Sequence, residues 1–321
     1  MKLLCRVLGV PRSGFYDYLR RQNKGPDPER EEMIDWIQAL AKTSDHTYGA
    51  RRMAKALRML GFPVGRFQAQ GLMREAGVWV RYRRRYRVTT DSNHRQPVFE
   101  NRLKRDFSAK GPDQVYAGDI TYVWTQEGWL YLAVVIDLYS RKVVGWSMNK
   151  RMTSTLVCDA LRMALWSRHP ARGQLVHHSD RGVQYASRAF GQLLDSHGIA
   201  GSMSRKGDCW DNAVVESFFG TLKSERIHWR SYQTREEARA DIAQYITMFY
   251  NSHRLHSYLG YQSIERQLTW PVQRQLSWPV DLIRFGTAER RVRCVRQSHY
   301  RATGQVIYGT SQSTAPDRSS G

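Results

Sequence analysis

Acidic residues are the scarcest charge in this chain. Only 29 Asp and Glu stand against 50 Lys and Arg in 321 residues, which leaves a formal charge of +21 and an isoelectric point near 10.1. A balance this basic is the electrostatic footprint of nucleic-acid binding. Cysteine is also sparse. Cys5, Cys158, Cys209 and Cys294 show no CxxC pair and no Cys/His ligand spacing, so neither a disulfide framework nor a structural zinc is expected, and a reducing cytoplasm fits. No apolar run approaches the ~20 residues needed to cross a bilayer. The first residues lack the long apolar stretch of a signal peptide, so the expectation is a soluble protein that works where DNA is and not at a membrane. No heptad repeat argues for a coiled coil. What remains is a chain long enough for a sizeable core and two or more domains, working on a polyanion.

The positive charge is not spread evenly. Residues 1–110 hold 24 Lys and Arg against 11 Asp and Glu, so +13 of the +21 lies in the first third. Residues 1–22 read as two short helices around a glycine turn, with Leu4, Leu8, Phe15 and Leu19 on an apolar seam and arginines outside it. After the breaker GPDP, a helix is expected near Glu29–Lys42, then a second helical pair at Ala50–Leu60 and Arg66–Ala76 joined by GFPVG. Immediately beyond lies VRYRRRYRV at 80–88. Its arginines, Arg81, Arg83, Arg84, Arg85 and Arg87, suit phosphate contacts, and the interleaved tyrosines suit sugars or bases. Residues 1–88 are therefore read as a helical DNA-binding region of helix-turn-helix type, and 89–112 as a polar linker.

From Asp113 the texture changes. QVYAGDITYVWT, GWLYLAVVIDLYS and RKVVGWSMNK are three successive strand candidates rich in Val, Ile, Tyr and Trp. Helices at about 153–167, 187–197, 211–227 and 235–250 then alternate with short strands at 174–180 and 199–204. Three meandering strands followed by alternating helices and strands describe an α/β fold, a mixed sheet flanked by helices.

Three acids interrupt this apolar pattern. Asp119 breaks an aromatic strand, Asp180 ends another, and Glu216 lies on the apolar side of a helix. Buried carboxylates are costly unless paired or bound to metal. Three converging from strand ends and a helix would supply hard oxygen ligands, which select Mg2+ or Mn2+ over zinc. Two such ions can activate an attacking oxygen and stabilise the leaving one in phosphoryl transfer. Asp137 is read as the residue of a turn between strands, Asp211 and Asn212 as helix caps, His177 and His178 as orienting the strand end, and His253 and His256 as packing or phosphate contacts.

The blocks YAGDITYVWT, AVVIDLYSRKVVGW, HHSDRGVQY, GDCWDNAVVESFFGTLKSE and YNSHRLHSYLGYQS resemble bacterial insertion-sequence transposases with a retroviral-integrase-like core. More narrowly, they resemble the second-reading-frame product, OrfB, over about residues 1–263. The resemblance implies a ribonuclease-H-like core of five strands at 113–263. It makes Asp119, Asp180 and Glu216 a catalytic, metal-binding DDE triad served by two Mg2+ (or Mn2+) ions. It adds Lys223, two helical turns after Glu216, as a DNA contact. It further implies double-stranded DNA as partner (element ends and target), cleavage at the ends, and 3′-hydroxyl strand transfer. A circular intermediate, an oligomer on DNA, and an upstream-frame OrfA protein or fusion complete the expectation.

The chain departs from that pattern after GYQS. Ile264 stands where a proline is usual, and residues 264–321 carry TWPVQRQLSWPV-like phrasing with poor periodicity. This segment is read as an atypical, disordered tail.

Overall fold

The computed structural model describes residues 2–22, 27–81, 99–103, 109–204 and 212–269. Its centre is a five-stranded sheet in the order β3-β2-β1-β4-β5, formed by β1 (Val115–Thr125), β2 (Gly128–Asp137), β3 (Val143–Asn149), β4 (Val176–Ser179) and β5 (Ala200–Met203). The first three strands form an antiparallel meander, while β4 and β5 add in parallel beside β1. The expected ribonuclease-H-like mixed sheet is therefore present, with helices on both faces.

Alternation along the strands explains the two faces. Tyr116, Ala133 and Val135 point to one side, where α6 (Ser154–Arg168) and α7 (Arg188–His197) contribute Leu161, Phe190 and Leu194. Ala117, Leu132 and Val134 point to the other, against α8 (Ala213–Glu225) and α9 (Arg235–Gln244), which supply Phe218, Leu222 and Ile242. Because β2 is covered on both faces, its sequence reads as a nearly continuous apolar run rather than an alternating one. Each large side chain fully buried here contributes about 1.5–3 kcal/mol. Gly145 lets α6 lie close on β3, since a Cβ there would come within 2.2 Å of the Ala160 carbonyl oxygen.

The first third is helical, as expected. α1 (Lys2–Val7) and α2 (Arg12–Gln22) leave most of their apolar side chains exposed. α3 (Pro28–Thr43), α4 (Ala50–Met59) and α5 (Arg66–Glu75) bury Ile37, Leu40, Met53, Leu57 and Leu72 among themselves. Past α9 the chain winds into a wider π turn, Tyr245–Tyr250. α10 (Ile264–Thr269) follows, with Ile264 wholly buried in the second core. Ordered structure thus continues beyond the boundary expected at 263, because Ile264 supplies an apolar anchor. No helix among the described residues is long and apolar enough to cross a membrane.

Candidate active site

The parallel pairing of β1 with β4 creates the site. Its last paired residues are Gly118 and Ser179, so the next residue on each strand is an aspartate, Asp119 and Asp180. Asp119 is partly buried, and its Oδ1 accepts a hydrogen bond from the Ile120 N–H at 2.7 Å. Asp180 closes the turn after β4, where Oδ1 accepts from the Gly182 N–H at 3.0 Å. Glu216 sits in the first turn of α8, the end of a helix that favours negative charge.

These three acids lie within one another's field. Burial, then the charges of Asp180 and Glu216, push Asp119 well above the usual carboxylate range, while Lys223 pulls it back. Glu216 is raised by burial and by Asp180. The charges of Asp119, Asp180 and Glu216 therefore act on one another's neighbourhood, although no three Asp, Glu, His or Cys side chains among the described residues close into a ready ligand cage. Lys223 is lowered by burial and raised by Asp119, and its ammonium lies 5.0 Å from the Tyr122 ring centroid. Carboxylates that raise one another's proton affinity are also the donors that a hard divalent cation relieves. The oxygen donor set fits magnesium or manganese by its chemistry.

Other residues shape this floor. Gly118 admits the side chains beneath it, because a Cβ would lie 2.9 Å from His177 Nε2 and 3.3 Å from the Tyr185 hydroxyl. His177 is buried and pushed down to about 3 by burial and by His178, so it is neutral packing in contact with Tyr185 and Phe190. His178 orients the neighbouring strand through Ser202 (2.9 Å) and Ser204 (3.3 Å). Tyr185, not singled out by the sequence reading, is held protonated by burial and by Asp119 and Asp180. Its one cue was its place in HHSDRGVQY. Asn212 corrects an expectation: its side chain makes no cap bond and donates instead to the Gly118 carbonyl at 3.3 Å, tying the start of α8 to β1. Asp211 lies outside the described residues.

Asp137 is a turn residue, as expected, accepting from the Ser140 and Asp113 N–H groups at 3.0 and 3.2 Å. His253 and His256 contact the backbone carbonyls of Met248 and Tyr250. Of the five arginines at 81–87, Arg83, Arg84, Arg85 and Arg87 lie outside the described residues. Arg81 is pinned inward, donating to Asp45 and lying over the Trp229 ring at 5.6 Å. Arg81 therefore occupies the seam between the helical region and the core.

Sheet order and strand sense give the mixed five-stranded core of an integrase-type polynucleotidyl transferase. Comparison agrees: the integrase core domain matches residues 109–209 and, in a second family model, 197–263, and an HTH-like domain matches 28–86. The chain is 45% identical to the transposase InsF of insertion sequence IS3A from Escherichia coli strain K12, over 83% of this chain and 93% of that one. It is 42% identical to a 31 kDa protein of insertion element IS600 from Shigella sonnei, over 80% and 94%. Among solved structures, the simian T-cell lymphotropic virus intasome in complex with the PP2A regulatory subunit B56 gamma aligns at 15% identity, TM-score 0.43, over 74% of this chain and 76% of that one. The HTLV-2 integrase catalytic core with magnesium aligns at 17% identity, TM-score 0.39, over 50% and 98%. The chain belongs to the IS3-family transposases of insertion sequences.

Proposed function

We propose that this transposase cuts one DNA strand at each end of its element and joins the freed 3′-hydroxyl to a second phosphodiester, using Asp119, Asp180 and Glu216. The observation that carries this reading is the placement of Asp119 and Asp180 just past the last pair of the β1–β4 ladder, where the charge of Asp180 raises both Asp119 and Glu216. Asp119 and Asp180 would hold one divalent cation between them, and Glu216 would complete the set for a second. Bound Mg2+ or Mn2+ supplies Lewis acidity to the phosphate oxygens and lowers the pKa of a coordinated nucleophile.

The chain's own contribution is placement and charge. In the first step a water oxygen bonds to phosphorus and its proton passes to solvent or a carboxylate. The bond to the 3′-oxygen breaks, and that oxygen takes up a proton from solvent to become the 3′-hydroxyl. In the second, the 3′-hydroxyl takes the role of water and displaces the 3′-oxygen of the target strand. The Asp180 turn and the Asn212 tether keep the β4 end and the α8 start aligned on β1. Lys223, beside Asp119, would steady the strand's phosphates. The basic stretch beyond Arg81 would add grip, double-stranded DNA being the substrate. Synapsis of two ends calls for an oligomer and for an upstream-frame partner or fusion.

The test uses the full chain, with and without the upstream-frame product, on labelled duplexes carrying the element's ends in Mg2+ or EDTA. Metal-dependent nicking and strand joining, lost in Asp180→Asn and Glu216→Gln, is the expected outcome. Tight binding with neither product, partner included, would overturn it in favour of a DNA-binding remnant.

A further inference from the structure

Outside the triad, the most unusual surface is aromatic. Tyr122, Trp124 and Trp129 are 42%, 54% and 44% exposed, although the other apolar residues of their strands are buried or half-buried. Trp124 and Trp129 face each other across the β1–β2 pair. Their ring centroids lie 4.8 Å apart at 74°, and Tyr122 meets Trp129 at 5.0 Å and 83°. Edge-to-face contacts of this kind fix the orientation of each ring.

The platform is rigid. Gly128 takes φ +104 at the hairpin, a conformation L side chains rarely adopt, and Arg235 Nε donates to the Trp129 carbonyl at 3.0 Å. Gln126 N–H donates to the Tyr232 carbonyl at 3.0 Å, tying the hairpin to the segment after α8. Between hairpin and segment lies a cleft of about 290 Å3, lined also by Lys223, His228 and Arg230. That is close to the ~300 Å3 lower end of small-ligand pockets. Lys223 belongs to both places, since its charge acts on Asp119 while its ammonium lies over Tyr122. Tyr122 follows Asp119 by three residues along β1, roughly 10 Å at a strand's rise. Their side chains therefore leave opposite faces of the sheet, and Lys223 is what joins the two places.

We infer that this cleft is a base-stacking pocket, which receives one unpaired nucleobase from the DNA strand held at the triad. Flat rings bordered by cations suit a base with its phosphate, and the occupant is set by continuity with the acids. An unpaired base, unlike a paired one, can leave the duplex stack and offer both faces. The inference rests on the transposase reading and adds to it a preference for ends that open next to the cut.

Full-length protein is titrated, in Ca2+, with end duplexes differing only beside the cut, where nucleotides are paired, mismatched or abasic. Wild type is expected to bind the mismatched end about five- to a hundred-fold more tightly than the abasic one, the range of a single base–aromatic stack. Trp129→Ala and Trp124→Ala should abolish that difference, and Trp129→Phe should keep most of it. In parallel, 5-iodouracil placed beside the cut in the wild-type complex should photocrosslink to Tyr122, Trp124 or Trp129, a readout that needs no variant. Equal affinity of wild type for mismatched and abasic ends, or crosslinks confined to other residues, would overturn the pocket. So would a change of oligomeric state in Trp129→Ala with base preference intact, which would make the surface a protein interface. If wild type cuts the ends in Mg2+ while these outcomes hold, only the pocket falls. If it neither binds nor cuts them, the transposase reading falls with it.

Discussion

Two glutamates on one helix meet opposite fates. Glu216, in the first turn of α8, is raised by burial and by Asp180. Glu225, at the other end, is more deeply buried yet held below the usual carboxylate range. Burial alone would raise Glu225 too. The difference is its partners: Arg254 reaches it twice, at 2.7 and 2.8 Å, Arg52 at 3.3 Å, and the Tyr245 hydroxyl donates at 2.8 Å. Arg52 comes from α4, so this cluster also fastens the helical region to the core, beside Tyr48, which accepts from the Leu255 N–H and donates to the His253 carbonyl. One end of α8 joins opposite charges into structure. The other gathers like charges, an arrangement that costs stability and suits a site for cations and phosphates.

The sharpest way to break this contrast is at the triad. Asp180→Asn or Glu216→Gln should lower end cleavage roughly a thousandfold or more, since each removes several kcal/mol of charge stabilisation at the reacting phosphate. Affinity for the end duplex, measured by gel shift, should change little. Loss of binding in step with cleavage would make these residues structural, like Glu225.

Next in size is the matched end. Arg254→Ala takes away the two shortest guanidinium bonds to Glu225, leaving the Arg52 contact and the Tyr245 hydroxyl, and should cost about 3–5 kcal/mol in denaturant unfolding. With its pKa depressed in the fold, Glu225 contributes stability above the unfolded carboxylate range. That contribution is lost as pH falls through its folded pKa. Wild type should therefore lose its margin over Glu225→Gln on acidification, and an acid-independent margin would refute the pairing as its cause.

Metal sharpens the comparison from the other side. Mg2+ at a hundredfold over its dissociation constant should stabilise wild type by about 2.7 kcal/mol. The effect should vanish in Asp119→Asn and survive in Arg52→Lys. Equal stabilisation of wild type and Asp119→Asn in a thermal melt would place the cation elsewhere.

The smallest effect runs against intuition. Asp119 has a folded pKa above its unfolded one, so its contribution is favourable at low pH and is lost as pH rises through the folded value. In EDTA at neutral pH, Asp119→Asn should melt roughly 1–2 °C higher than wild type, as expected for about 1 kcal/mol in a chain of this size. The gain should shrink towards zero as pH falls. A variant that melts lower at neutral pH would show that the acids do not repel.

Much of this molecule was legible from local pattern. The helices and strands begin and end within a few residues of where apolar periodicity and glycine turns put them, as with α4 at Ala50–Met59 and β5 at Ala200–Met203. Asp119, Asp180 and Glu216 stood out because each interrupts an apolar element, a conflict visible without coordinates. What stayed hidden depends on partners far along the chain. Asn212 looked like a cap until β1 supplied a carbonyl 94 residues earlier. Arg81 looked like a DNA contact until Asp45 and Trp229 enclosed it. Ile264 read as the start of a tail until the second core received it.

By itself, then, the sequence determined the elements, the excess of positive charge and the three acids, because hydrophobic period and residue chemistry act over a few neighbouring positions. Only the tertiary structure decided which carboxylates repel and which are matched. Charges interact through space and dielectric, and two glutamates nine residues apart on α8 acquire their roles from the strands, helices and loops that fold against them.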